Sequence, residues 1–265
     1  MKNLFKHWDN LKGELGDKHI LLLLDYDGTL TAIRQTPKEA VIPKDTKELL
    51  EKFSGNSHCA LAIISGRSLK DIKSIVGIKD IIYAGNHGLE VEGPKIKFES
   101  HVSPRLKSVI RNVAKELSER LSGIKGILIE DKGLTISVHY RLVDERCISM
   151  LENILKEVTK SAIVRGEIRI NSGKKVYEIK PPVMWDKGKV VSWLLARQQF
   201  ALGENKVFPI YIGDDVTDED AFKVIKDNGL GVFVGEPTAS QANYYLKDTD
   251  EVVKFLKQIL ILKKS

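Results

Sequence analysis

Two carboxylates one residue apart follow an unbroken apolar run in "LLLLDYDGTL", residues 21 to 30, and the chain then turns at once on Gly28 and Thr29. A turn that begins after Asp25 can aim both Asp25 and Asp27 toward one site, and Gly28 supplies the freedom for it. Carboxylates that converge with a carbonyl oxygen make an incomplete, oxygen-rich cage of the kind Mg²⁺ uses while keeping waters and a substrate phosphate. Without a cation these charges repel one another and a phosphate alike. With one, a carboxylate can attack phosphorus to give an aspartyl-phosphate, while the other protonates the leaving alkoxide and later takes a proton from water. The phosphoryl group in transfer spreads charge over its equatorial oxygens and needs donors and positive groups around it. Ser65, the amides near Gly66 and one lysine are the candidates. Lys187, in "MWDKGKVVSWLL", stands where a helix begins and can act as a point charge.

These groups need a frame. "HILLLLDYD", "CALAIIS" (59–65) and "VFPIYIGDD" (207–215) are apolar on both faces, as central parallel strands require. Between them, "PKDTKELLEKF" (43–53) and "SLKDIKSIVG" (68–77) carry helical spacing, the second with a Ser cap and a terminal Gly. Alternation of strand and helix predicts an α/β sheet with right-handed crossovers, and ligands bind such sheets at the carboxyl ends of strands. Asp25 and Asp27, the Ser65–Gly66–Arg67 run, and Asp214 with Asp215 all fall at such ends. From 101 to 180 the pattern changes to helix, hairpin, helix, hairpin, with the hairpins turning at Asp-Lys-Gly and at Ser-Gly. The expected organisation is a core from 1–100 and 181–265 interrupted by an α+β domain at 101–180.

Composition bounds the remaining possibilities. The 265 residues, 42% hydrophobic, suffice for one large or two modest globular domains. Two cysteines, Cys59 and Cys147, make neither a disulfide framework nor a metal cluster, which predicts free thiols in a cytoplasmic setting. The N-terminal stretch lacks the apolar core of a signal peptide, and the leucines at 21–24 are too few to span a bilayer. A formal charge of +6 and a pI near 9.1 fit an anionic small substrate, but the basic residues alternate with acids along helices and form no nucleic-acid surface. Neither nucleic acid nor membrane is expected as a partner, and a monomer is expected.

"DYDGTL", "ISGR", "DKG" and "GDDVTDED", in this order and with the insert between the second and third, resemble the four motifs of haloacid dehalogenase-superfamily phosphatases. The resemblance spans essentially the whole chain and implies a Rossmann-like α/β core with a parallel sheet plus an inserted α+β cap domain. It implies Asp25 as nucleophile, Asp27 as general acid and base, Thr29 as the residue orienting Asp27, and Ser65 and Lys187 as phosphate contacts. Asp25, the backbone carbonyl of Asp27, and Asp214 with its neighbour Asp215 would form the Mg²⁺ set, supported by Asp218. Which of Asp214 and Asp215 touches the metal stays open. "GNHGLE" (85–90), "EDKGLTISVHYR" (130–141) and "YEIKPPVMWDKG" (177–188) resemble trehalose-6-phosphate phosphatases more specifically. That likeness assigns sugar hydroxyls to Glu130, Lys132 and Glu178, with Gly66, Arg67, Asn86 and His87 on the core side. A disaccharide offers many hydroxyls and little apolar surface, so charged and amide groups suit it. A cap that closes would align the leaving group and open for product.

The expected function is therefore Mg²⁺-dependent hydrolysis of trehalose 6-phosphate, a small sugar phosphate being the partner. One alternative keeps the chemistry and changes the ester, to sucrose phosphate, mannosyl-3-phosphoglycerate or glucosylglycerol phosphate. The other, a silent sugar-phosphate-binding module, would lack Asp25, Asp27 or Lys187, and all three are present. His87 and His139 show no zinc spacing and are read as hydrogen-bonded structural histidines; Trp8, Trp185 and Trp193 are read as core, and the last apolar helix as packed on the sheet.

Overall fold

The computed structural model describes residues 1–237 and 239–263. Strand β1 (Lys2–Asn3) and helix α1 (Trp8–Leu15) lead into β2 (His19–Leu24), α2 (Lys44–Ser54), β3 (Cys59–Ile64), α3 (Leu69–Val76), β4 (Ile82–Gly85), β5 (Glu90–Gly93) and β6 (Ile96–Glu99). There follow α4 (Pro104–Arg120), β7 (Leu128–Asp131), β8 (Ile136–His139), α5 (Glu145–Val164), β9 (Arg169–Gly173) and β10 (Val176–Lys180). The chain ends with α6 (Lys187–Leu202), β11 (Val207–Gly213), α7 (Glu219–Ile225), β12 (Leu230–Val234), β13 (Tyr244–Leu246) and α8 (Thr249–Leu262). Two compact units result: Met1–Glu99 with Trp185–Ser265, and Ser100–Met184. Residues 100 and 181–184, placed with the core on sequence grounds, group with the second unit.

In the first unit nine strands run β1-β13-β12-β11-β2-β3-β4-β5-β6. The pairs from β1 to β4 are parallel, and β5 and β6 extend the sheet antiparallel. The leucine run of β2 lies at the centre and is buried on both faces. Leu21 and Leu23 meet Val190, Val191 and Leu194 of α6 and Phe222 of α7. Ile20, Leu22 and Leu24 meet Leu50 and Phe53 of α2, Ile72 of α3 and Phe255 of α8. Each such side chain gains roughly 1.5–3 kcal/mol by leaving water, so a strand covered by helices on both faces favours an unbroken apolar sequence over an alternating one. Helix α3 starts with the Ser68 side chain accepting from Asp71 N and stops at Gly77, which takes a left-handed conformation. Trp8 meets Phe255 edge-on, and Trp185 and Trp193 flank Phe98, as core residues do. Both cysteines are free thiols. No helix among the described residues is long and apolar enough to cross a membrane.

The second unit is an antiparallel sheet ordered β7-β8-β10-β9. One face supplies Ile136, Val138 and Ile179 to a core with Ile110 and Leu117 of α4 and Leu151 and Leu155 of α5. The β9–β10 turn falls on Lys174 and Lys175 rather than on Ser-Gly, because Gly173 pairs with Val176; Lys175 carries the left-handed φ of 66°.

Two sets of polar contacts, one in each unit, are expected to contribute stability. Lys263, after α8, donates to the carbonyls of Leu15, Gly16 and Lys18 at 2.6, 2.8 and 2.5 Å, and so caps the end of α1. Lys263→Met is expected to lower unfolding free energy by about 1–3 kcal/mol in urea denaturation, because the carbonyls lose a charged donor. In the second unit Glu167 accepts from Arg105 (2.6 Å) and Arg165 (2.8 Å). Hydrogen bonds from Arg165 and then Arg105 hold its pKa below the usual carboxylate range. The folded state thus binds this proton less readily than the unfolded chain, and the stabilisation, complete above the ordinary glutamate pKa, is lost as pH falls through the lowered folded value. Denaturation curves of wild type and Glu167→Gln are expected to differ most near neutrality and to converge in acid.

Candidate active site

The polar residues that the strands deliver meet at their carboxyl ends. Asp25 leaves β2 with its amide bound to the Ile212 carbonyl of neighbouring β11 at 2.9 Å. The chain then folds tightly, with Leu30 N donating to Tyr26 O at 2.9 Å and Gly28 N to Thr31 O at 2.7 Å. Gly28 has φ 91°, and a Cβ there would lie 2.1 Å from Asp214 Oδ2. Glycine is therefore required twice, for the turn and for the approach of Asp214.

Lys187 reaches this point from the first turn of α6. Asp186 caps that helix by accepting from Lys189 N at 2.8 Å, and a Cβ on Gly188 would lie 2.6 Å from the Asp220 carbonyl oxygen, so "DKG" encodes a cap, a cation and a close helix approach. Lys187 Nζ donates to Asp25 Oδ1 and to Asp218 Oδ1, both at 2.7 Å. Asp218 also accepts from Tyr211 OH (2.6 Å) and from the amides of Asp214 (3.0 Å) and Asp215 (2.9 Å). Both of its oxygens are thus engaged in organising the loop. Asp215, partly exposed, exchanges capping bonds with Asp218 at the start of the short 3₁₀ turn Val216–Asp218.

Asp25, Asp214 and Asp218 are all buried and can bring one carboxylate oxygen each within 4.8 Å of the others. One buried ammonium faces three buried carboxylates, a charge imbalance that a divalent cation redresses. Burial pushes the Asp25 carboxyl up; Lys187 opposes the rise and Asp218 and Asp214 add to it. Burial disfavours the Lys187 charge, yet Asp218 and Asp25 outweigh it and keep the ammonium protonated. With Asp218 saturated, Asp25 and Asp214 are the side chains fitted to hold a metal, and the side chains of Asp27 and Asp215 lie outside the cluster.

Asp27 is gripped instead by Arg67. The guanidinium donates through Nε to Asp27 Oδ2 at 2.7 Å and through Nη2 to Oδ1 at 2.8 Å, while Nη1 reaches Asp71 at 2.9 Å and Nη2 also meets the Pro37 carbonyl at 2.7 Å. Arg67 lies over the Tyr26 ring, 5.3 Å from its centroid. It is buried, and its guanidinium is directed at these acceptors. Thr29, expected to orient Asp27, is fully buried, and its hydroxyl has no hydrogen-bond partner among the described residues.

Ser65 follows β3, and its hydroxyl accepts from Arg67 N at 3.2 Å. Asn86 and His87, at φ 51° and 56°, take the left-handed conformation in succession after β4. Their amides donate to Arg67 O (2.6 Å) and Ser65 O (2.9 Å), which ties the Ser65–Arg67 loop in place and offsets the strain. The Asn86 side chain donates to Glu90 at 2.6 Å.

The sequence model of the trehalose-phosphatase family matches residues 23–250. Trehalose-phosphate phosphatase B of Arabidopsis thaliana is 34% identical over 97% of this chain and 71% of its own. Trehalose 6-phosphate phosphatase RA3 of Zea mays is 34% identical over 91% of this chain and 70% of its own. The chain belongs to the trehalose-phosphatase family. Its fold matches the C-terminal domain of C. albicans trehalose-6-phosphate phosphatase with a TM-score of 0.81 at 24% identity, over 96% of this chain and 97% of that one. A haloacid dehalogenase-like hydrolase from Bacteroides thetaiotaomicron aligns at a TM-score of 0.62 and 19% identity, over 91% of this chain and 100% of that one. The core is thus a haloacid dehalogenase-like fold.

For a member of this family, sequence reasoning overlooked Tyr211, Asp71 and the full engagement of Asp218. The first sits mid-strand and the second on a helix face, where their residue types signal nothing. Glu130, Lys132 and Glu178 lie in the second unit, on or beside its sheet. Lysine cannot reproduce the guanidinium fork, so Arg67→Lys is expected to lower kcat about tenfold to a hundredfold on sugar phosphates and small aryl phosphates alike, as misplacement of a reacting group does. A residue that only bound sugar would instead raise KM for the sugar ester; steady-state kinetics on both substrates decide.

Proposed function

We propose that this chain hydrolyses trehalose 6-phosphate to trehalose and phosphate through an aspartyl-phosphate on Asp25, with Mg²⁺ as its metal. The observation that carries the reading is the Asp25–Lys187 contact at 2.7 Å, beside Asp214 and two residues before Asp27, in a member of the trehalose-phosphatase family. Asp25 attacks phosphorus, and the bond from phosphorus to the sugar oxygen breaks. Asp27 gives its proton to the departing alkoxide. Water then attacks the aspartyl-phosphate, Asp27 takes its proton, and Asp25 and phosphate are released.

Lys187 and the Ser65 hydroxyl supply donors to the phosphoryl oxygens. Mg²⁺, held by Asp25, Asp214 and the Asp27 carbonyl, would add positive charge next to the phosphate. Glu130, Lys132 and Glu178 read the sugar hydroxyls. The two free thiols support a reducing, cytoplasmic setting.

Phosphate release should be measured from trehalose 6-phosphate, sucrose 6-phosphate, glucose 6-phosphate and mannosyl-3-phosphoglycerate, with Mg²⁺ and with EDTA. Trehalose 6-phosphate is expected to be preferred, EDTA to abolish turnover, and Asp25→Asn to reduce it by at least about three orders of magnitude, the scale of losing a covalent nucleophile. Preference for another ester would overturn the substrate, and activity retained by the folded Asp25→Asn variant would overturn the covalent route.

A further inference from the structure

The register of the second unit's sheet places its polar side chains in a row. Glu130 pairs with Ser137, and Ser137 with Glu178. The residues flanking Ser137 and Glu178 in their strands, Ile136, Val138, Tyr177 and Ile179, contribute to the core under α4 and α5. Alternation therefore sets Glu130, Ser137 and Glu178 on the opposite face. Two further residues on that face, each two along from a member of the row, hold its carboxylates. His139 Nε2 lies 2.7 Å from Glu130 Oε2, and Lys180 Nζ lies 2.8 Å from Glu178 Oε2. The Glu178 and Lys180 side chains are only 13% and 18% exposed, so burial holds this pair in one arrangement. Ser137, between the carboxylates, is fully buried, and its hydroxyl has no hydrogen-bond partner among the described residues.

A carboxylate on a flexible side chain reads a hydroxyl well only when its orientation is fixed beforehand; otherwise binding must pay the ordering entropy. Here each carboxylate keeps its Oε2 oxygen against a basic neighbour, and that contact sets the plane in which it meets a hydroxyl. We infer that His139 and Lys180 are positioning residues that fix Glu130 and Glu178 for the hydroxyls of the sugar phosphate. This rests on the functional reading above and assigns specificity work to residues that make no chemistry themselves. Removing either loosens a carboxylate without touching Asp25, Asp27 or Lys187, so the effect belongs in KM for the disaccharide ester.

Steady-state kinetics of wild type, His139→Ala, His139→Gln and Lys180→Met on trehalose 6-phosphate and para-nitrophenyl phosphate provide the test, with circular dichroism to establish folding. His139→Ala and Lys180→Met are expected to raise KM for trehalose 6-phosphate roughly fivefold to tenfold, the worth of an oriented hydrogen bond, at near-constant kcat, and to lower selectivity over the aryl ester by the same factor. His139→Gln, whose amide can donate to Glu130, is expected to recover most of the loss. An unchanged KM in the folded variants, or an equal fall on both substrates, overturns the assignment of His139 and Lys180 alone. A wild type with no preference for trehalose 6-phosphate overturns the functional reading and the inference with it. Should Lys180→Met fail to fold, the His139 pair of variants decides.

Discussion

One ammonium, Lys187, stands among three buried carboxylates, and the geometry of the first unit follows from how that imbalance is contained. Buried charge is tolerated only with partners and hydrogen bonds. Asp218 is satisfied by Tyr211, two backbone amides and the lysine, which fixes the loop after β11. Asp25 is tethered to Lys187, which fixes the start of α6 against the end of β2. What remains is negative and aimed at one place, the condition for attracting a cation and, with it, a phosphate. A separate pair, Asp27 with Arg67, keeps the second carboxylate out of this cluster, so the two acids of "DYDGTL" occupy different electrostatic surroundings although one residue separates them.

The fold of the first unit was legible because its strands are buried on both faces. A run such as "HILLLL" admits few environments other than the centre of a parallel sheet with helices on either side, and the polar residues that break such runs mark the strand ends. The antiparallel extension by β5 and β6 was not legible, since "EVEG" and "IKFE" are short, half-polar edge segments whose pairing depends on what lies beside them. The β9–β10 turn was displaced for a related reason: Ser-Gly is a good turn signal, but the register that buries Ile179 and packs Tyr177 against the core leaves Lys174 and Lys175 to make the bend.

The site was legible in its residue types and less so in its connections. Asp25, Lys187 and Asp214 declare themselves by position at strand and helix ends. The bonds of Arg67 do not, because Asp71 and the Pro37 carbonyl come from segments whose proximity only folding establishes. In the second unit the cross-strand row of Glu130, Ser137 and Glu178 is likewise a product of register, which the hairpin sequences suggest but do not fix.

The discontinuity of the first unit also bears on how the chain is made. Strand β2, which Asp25 follows, is flanked in the sheet by β3 and by β11, and β11 is synthesised only after the whole of Ser100–Met184. The second unit is contiguous and rich in near-neighbour pairings, features that favour rapid collapse. During translation the leucine-rich β2 therefore waits, open along one edge, while the inserted unit can already fold. For that interval a strand buried on both faces in the finished fold is the one most in need of protection from other nascent chains.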